Sequence, residues 1–151
     1  MLQATASALT VERLKLLAND AEQTHAHIEA VLSSLEGSEE QAQWASEALE
    51  NCGVPPRSSV HCLAALTRHR SELVAFWACK LLARLGHAAS VSEEQLVVAL
   101  AQRPENSVRE EAARALGELG SLSEAARTAL ATAAAHGSPR LKRLAAASLG
   151  G

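Results

Sequence analysis

The sequence predicts an all-α solenoid, a stack of antiparallel helix pairs. Two observations carry that reading. The stretch Ala112-Ala113-Arg114-Ala115-Leu116-Gly117-Glu118-Leu119-Gly120 has a counterpart 34 residues earlier, at 78–86, and another 33 before that, at 45–53. Shifted forward by 33, it meets Ala145-Ala146-Ala147-Ser148-Leu149-Gly150. Self-similarity at a fixed period of this size marks a repeat array. Composition agrees: 48% of the 151 residues are hydrophobic, Ala and Leu dominate, and only Trp44, Phe76 and Trp77 are aromatic. Sheets draw on β-branched and aromatic residues, whereas Ala and Leu head the helix formers.

The first 37 residues repeat least and read as divergent capping helices. Thr10 caps a helix that starts at Val11, with Val11, Leu14, Leu17 and Ala18 on one face. At Asn19-Asp20 the pattern allows either a joint or a helix that runs on. A second stripe follows through Ala26, Ala30 or Val31, Ser34 and Leu35, and Gly37 ends it in the C′ position. This region therefore predicts two helices.

From Ser38 the pattern is regular. Ser38-Glu39-Glu40-Gln41 is a capping box. Gln41, Ala45, Ala48, Leu49 and Cys52 then share a helical face. The next copy, opened by Ser71, places Val74, Ala78, Leu81, Leu82 and Leu85 at matching positions. The third places Val108, Ala112, Ala115, Leu116 and Leu119 there. The fourth has Leu141, Ala145, Ser148 and Leu149, opened by Ser138 with Pro139 at N1, where a missing N–H costs nothing. These are the A helices. A second set, the B helices, alternates with them. Pro55-Pro56-Arg57-Ser58 opens Val60, Leu63, Leu66 and Thr67. Ser92-Glu93-Glu94-Gln95 caps Leu96, Val97, Ala99 and Leu100. Ser123-Glu124 opens Ala126, Ala129, Leu130, Ala133 and Ala134. Leu63, Leu96 and Leu130 again lie 33 and 34 apart. No single helix of a pair buries its stripe alone, so stacking supplies the core.

The predicted organisation is one domain, 1–151: capping helices at 1–37, full repeats at 38–70, 71–104 and 105–137, and a terminal half-repeat at 138–151. Leu141, Ala145 and Leu149 on that half-repeat leave three readings open: a cap, a truncation, or a dimer surface.

Charge and cysteine usage bound the function. The net charge of −3 conceals an asymmetry. Residues 1–50 hold nine acids against two bases, and residues 51–151 eight acids against twelve bases. A nucleic-acid binder normally shows a clearer basic excess. Cys52, Cys62 and Cys79 form no CxxC, and an odd set of core thiols fits a reducing compartment. Met1-Leu2-Gln3-Ala4-Thr5-Ala6 lacks a basic n-region followed by an apolar run, and no stretch approaches the ~20 apolar residues of a membrane span. The expectation is a cytoplasmic protein without a signal peptide or membrane segment.

Glu105-Asn106-Ser107-Val108-Arg109, followed by Ala112-Ala113-Arg114-Ala115-Leu116-Gly117, resembles the short HEAT-like repeat of the phycobilisome-lyase type. Ser138-Pro139-Arg140-Leu141-Lys142, with Ala145-Ala146 and Ser148-Leu149-Gly150, is similar. The copies at 71–86 and 38–53 depart from the pattern, with Ala75 and Ala42 at its arginine position. The resemblance covers 38–151. It implies a HEAT-like right-handed superhelix with the B helices lining the concave side, and an adaptor or scaffold role. It also brings two alternatives, a nucleic-acid-binding relative of DNA glycosylases and a tetrapyrrole lyase subunit.

No catalytic constellation emerges. His25 and His27 lie two apart on a helix and diverge, so they are poorly placed to share a metal; Glu22 and Glu29 beside His25 read as solvated partners. Cys62 and His69 are two turns apart, too far for a nucleophile pair. Arg68, His69 and Arg70, and later His136, read as cations at helix C-termini. Trp44 and Trp77 occupy equivalent positions and read as inter-repeat packing rather than a stacking platform. Arg140, Lys142 and Arg143, with Arg109 and Arg114, are candidates for phosphate contact. Leu149-Gly150-Gly151 is the repeat's own ending. The sequence therefore predicts a non-enzymatic protein-interaction module without metal or cofactor, binding a protein or peptide rather than nucleic acid or membrane. The candidate partner-binding residues lie on the B helices away from the core leucines: Arg57, His61, Ala65 and Arg68, then Glu94, Val98 and Gln102, then Thr128, Thr132 and Ala135.

Overall fold

The computed structural model describes residues 8–150, and these are all-helical, with no strand among them. Residues 1–7, on which the expectation of no leader rests, and Gly151 lie outside the described residues. The chain divides into two compact units, with the boundary between Pro55 and Pro56.

The first unit contains α1 (Val11–Leu17), α2 (Ala21–Ala26), α3 (Ile28–Ser34) and α4 (Glu39–Asn51). Helices α1, α2 and α3 all pack on α4, which buries Ala45, Ala48 and Leu49 beneath them. The capping box at Ser38 forms as expected: Gln41 N–H donates to Ser38 Oγ (3.1 Å) and Ser38 N–H to Gln41 Oε1 (2.7 Å). Gln41 also ties down the chain before α1, donating from Nε2 to Leu9 O (2.9 Å), while Leu9 N–H donates to Ser34 Oγ (2.8 Å). Gly37 does not adopt a left-handed conformation. A Cβ there would run into the Gln41 side chain folded back onto Ser38, so the box requires the glycine.

Three helices, not two, precede Gly37. The expected joint falls at Asp20, whose carboxylate accepts from Gln23 N–H (3.1 Å). A second break comes at His27, at φ −121° and ψ 29°. On α2 only Thr24 is buried, its hydroxyl donating to Leu17 O (2.8 Å). Ala26, expected in the core, is exposed. Breaking the helix at His27 lets α3 turn Ile28, Val31 and Leu32 inward, a rotation that one continuous helix would not allow.

The second unit contains α5 (Val60–Leu66), α6 (Glu72–Leu85), α7 (Glu93–Gln102), α8 (Asn106–Glu118), α9 (Glu124–His136) and α10 (Pro139–Gly150). Each B helix packs along the A helix that follows it: α5 on α6, α7 on α8, α9 on α10. The A helices form one layer, α6–α8–α10, and the B helices another, α5–α7–α9. This is an α-solenoid of HEAT-like helix pairs. Its core is the repeated set: Leu63, Leu96, Leu130, Leu82, Leu116, Ala78, Ala112 and Ala145 all have 0% exposure. Leu141 is buried as well, and Leu149 is half-buried.

Helix ends follow the sequence in most places. Ser71, Ser123 and Ser138 accept from Val74, Ala126 and Leu141 N–H respectively. Gly53, Gly86 and Gly120 close successive A helices with φ of +69°, +59° and +103°, a conformation that disfavours any Cβ. One expectation fails. Ser92 is not a cap: it is buried at the end of a 3-10 segment, Gly86–Ser92, and its hydroxyl donates to Ala89 O (2.6 Å). The short turn after Gly86 leaves the chain already helical on reaching α7, so Ser92 has no extended conformation from which to cap. Gly137 stops α9 directly after His136, as its place in the sequence predicts, at φ −77°. Here the need is space, because a Cβ would lie 2.7 Å from Ala133 O and 2.8 Å from Leu141 Cδ2.

Candidate interaction surface

The B-helix candidates lie on the second unit's α5–α7–α9 layer or in the turns flanking α5, with Arg68 just past its last residue, Leu66. Arg57 is in a 3-10 turn, Arg57–Ser59, just before α5. Together with His61, Ala65, Arg68, Glu94, Gln102, Thr128, Thr132 and Ala135 it is exposed, while Val98 is half-buried. Helix α7 touches both α5 and α9, so the three helices place these residues in neighbouring rows. The rows differ chemically: basic and imidazole groups come first, then a mixed row, then hydroxyls. Thr132 Oγ1 donates to Thr128 O (3.0 Å), a local turn-to-turn bond that holds one hydroxyl on the helix.

Several polar residues have structural duties that their types did not announce. His25 is half-buried and donates from Nε2 to Cys52 O (2.8 Å), at the C-cap of α4. It anchors a helix end instead of sharing a solvated face with Glu22 and Glu29. Arg13 Nη2 donates to His27 Nε2 (3.4 Å), and the two histidines do part company. His69 is used otherwise than as a helix-end cation: its Nδ1 accepts from Ser71 N–H (3.0 Å), helping to start α6. His87 Nδ1 donates to Leu119 O (3.0 Å).

Of the basic set read as a phosphate candidate, Arg109 is held within the fold, while Arg114 and Arg140 are exposed and meet acids at the surface. Arg109 Nε donates to Leu100 O (2.8 Å). Arg114 lies 3.6 Å from Glu111, and Arg140 lies 3.5 Å from Glu110. Lys142 and Arg143 are exposed. Sequence reading missed Arg103, which is half-buried and forks onto both oxygens of Glu105 (2.9 and 3.2 Å) while Nη1 donates to His69 O (2.6 Å). Its carbonyl target lies 34 residues back, so Arg103 joins successive inter-helix loops.

The two tryptophans differ in setting. Trp77 is buried and meets Phe76 edge-to-face at 5.7 Å between ring centroids, with Lys80 Nζ 4.9 Å from its ring. Trp44 is half-buried, with Lys15 Nζ at 5.5 Å. Trp77 is packed as expected. Cys79 is fully buried. Desolvation, then the Glu111 carboxylate, push its thiol up to about 12, against a smaller lowering by Arg103. That thiol carries no nucleophilic chemistry at neutral pH.

A second feature lies on the A-helix layer, where nothing was expected. The N-terminal turns of α6 and α8 enclose an open recess of about 500 Å³ lined by Ser71, Glu72, Leu73, Phe76 and Ser107. Leu73 is exposed, and Ser107 Oγ donates to Glu72 Oε2 (2.6 Å). The signal available beforehand was a difference between copies: Ser107 stands where the next copy has Arg140. Among the described residues no three His, Cys, Asp or Glu side chains gather as a metal site, and no helix is long and apolar enough to cross a membrane.

Comparison with known families places residues 59–150 on the family model for HEAT repeats. No curated protein matches the chain.

Proposed function

The chain belongs to the HEAT-repeat family, and from that premise we propose that it is a non-enzymatic scaffold module binding a partner protein or peptide on the exposed face of α5, α7 and α9. HEAT repeats are commonly protein-interaction scaffolds and are generally non-catalytic. One observation carries the choice of face. Along the B helices the inward position is constant, with Leu63, Leu96 and Leu130 all fully buried. The outward row, exposed except for the half-buried Val98, changes from Arg57, His61, Ala65 and Arg68 to Glu94, Val98 and Gln102 to Thr128 and Thr132. A scaffold spends constancy on stacking and variety on recognition. Arg109 is held by Leu100 O, and Arg114 and Arg140 each face a glutamate at the surface, so the charge offered to a phosphate backbone is partly offset, which favours a protein partner.

The test is affinity capture with the intact chain, followed by identification and titration of what co-purifies, using wild type beside the triple variant His61→Ala/Arg68→Ala/Val98→Ala. The expected result is partner affinity reduced at least tenfold, with helical content unchanged. A partner that holds both proteins equally rules out this face.

A further inference from the structure

We propose that the recess between the first turns of α6 and α8 takes a basic side chain, foremost arginine, from a partner polypeptide, with its cation on Glu72 and its stem on Leu73 and Phe76. This goes beyond the B-helix reading, because it lies on the other helix layer and uses none of the same residues.

The template is inside the molecule. Successive A helices meet in equivalent registers: Glu72, Phe76 and Ser107 at the α6–α8 seam correspond to Asn106, Glu110 and Arg140 at the α8–α10 seam. At the second seam, Arg140 reaches across from α10 to the Glu110 carboxylate at 3.5 Å. At the first seam, the residue in Arg140's place is Ser107, which reaches only as far as Glu72 Oε2 (2.6 Å). The space that an arginine stem would cross is therefore left open as the recess of about 500 Å³. The acid has also moved back by one helical turn, from position 110 to the equivalent of 106, so it stands at the rim rather than the floor. The floor is now Phe76, half-buried, beside the exposed Leu73.

Such a site suits a long cationic side chain. Arginine and lysine lay apolar stems along apolar surface while keeping the charged head at a wet rim. Ser107 occupies one oxygen of Glu72, and a carboxylate offers about four acceptor positions, so a guanidinium finds a second oxygen. Arginine is preferred over lysine because its planar fork matches a carboxylate. The charge pair at an exposed rim adds modestly, and the stem on Leu73 and Phe76 supplies most of the attraction.

The probe is the acetylated, amidated peptide Ala-Leu-Arg-Leu-Ala, compared with the same peptide carrying Gln at its centre. Each is titrated into isotopically labelled full chain and followed by amide chemical shifts. The Arg peptide is expected to move the amides of 71–76 and 105–108, with the Gln peptide at least about fivefold weaker. Glu72→Gln, nearly isosteric, should weaken the Arg peptide by about fivefold. Ser107→Arg fills the recess with the chain's own side chain, as Arg140 does at the next seam, and should weaken the Arg-peptide shifts by at least about twofold, while circular dichroism confirms an unchanged fold. Equal response to the Arg and Gln peptides, no response to either, or full binding by Glu72→Gln would each overturn the proposal. The B-face variant His61→Ala/Arg68→Ala/Val98→Ala should bind this peptide as wild type does, so failure here and failure of the B-helix reading are separate results.

Discussion

Gly117 and Gly150 occupy one position in successive copies, 33 residues apart, yet alanine should act on them with opposite sign. At Gly117 a new Cβ would lie 2.9 Å from Ser148 Cβ and 3.2 Å from Ser148 Cα, and would collide with Ser148 Oγ. Rotating the serine relieves the last of these clashes only. The Cα is backbone, so α10 must move away from α8. The same movement strains the hydrogen bond from Ser148 Oγ to Ala113 O, 2.8 Å long. Overpacking of this kind costs about 1–3 kcal/mol, and a weakened internal hydrogen bond about 1 kcal/mol more. Against this, alanine gains about 1 kcal/mol over glycine inside a helix. The net expectation for Gly117→Ala is a loss of about 1–3 kcal/mol. At Gly150 nothing lies within 4 Å of the added Cβ, so only helix propensity remains, a gain of a few tenths of a kcal/mol at a terminal residue. Urea unfolding followed by circular dichroism at a helical wavelength measures both. Gly117→Ala/Ser148→Ala should recover part of the loss, since the crowding against the α10 backbone persists. If Gly117→Ala is as stable as wild type, or if Gly150→Ala loses as much, the packing account of the α8–α10 seam is wrong.

Three further outcomes are expected. The Cys79 thiol, raised from about 9 to about 12, keeps its proton in the folded chain while the unfolded thiol ionises; its contribution is intact below pH 9 and drains away between pH 9 and 12, by about 1.4 kcal/mol at pH 10. Urea midpoints at pH 8 and pH 10 should therefore fall further for wild type than for Cys79→Ala, and parallel behaviour would contradict the burial. His25→Ala should cost about 1 kcal/mol through the lost bond to Cys52 O, and His27→Ala under about 0.5 kcal/mol, measured as thermal midpoints; equal effects would remove the anchoring role. Arg103→Lys should not restore the stability lost in Arg103→Ala, about 1–3 kcal/mol, because the two-pronged contact with Glu105 needs a planar fork; full rescue in denaturant titrations would reduce the contact to simple charge.

The repeat and its core were legible because packing selects residue type directly. At the repeated core positions the residue is small or aliphatic in nearly every copy, and Leu63, Leu96 and Leu130 show no exposure at all. Caps were legible where an extended residue precedes a helix, as at Ser38, Ser71 and Ser123. They were illegible at Ser92, whose neighbours Glu93, Glu94 and Gln95 spell the same box as Ser38 but follow a 3-10 segment. The letters were alike; the backbone leading into them was not. The break at His27 was hidden for a related reason: no glycine or proline marks it, and it arises from the need to turn Ile28 inward. The roles of His25, His69 and Arg103 rest on carbonyl and amide groups of other turns, at sequence separations such as 27 for His25 and 34 for Arg103, and periodicity says nothing about backbone acceptors. Of the candidate surface, exposure of the B-helix row followed from the helical period. The recess did not, because it depends on how far Ser107 reaches compared with Arg140.

Differences between copies are therefore of two physical kinds. Positions 44, 77, 111 and 144 are equivalent and hold Trp, Trp, Glu and Leu. They look like the variation expected of a binding face. Yet Trp77 and Glu111 are buried, and Glu111 places a carboxylate near Cys79 with one oxygen lacking a hydrogen bond among the described residues. A buried charge held this way costs free energy unless its neighbours are matched to it. Exchanging Trp77 for Glu111 would leave a cavity at one seam and an overfilled space at the other. Variation at this position thus makes each repeat specific to its neighbours and fixes their order. Along α5, α7 and α9 the outward row bears no such constraint: exchanging Arg68 for Gln102 or Thr132 for Val98 disturbs little of the core. There the copies can diverge without renegotiating the stack, which is the physical ground for proposing a partner face on that row, whereas the buried position at 77 and 111 sets the order of the repeats.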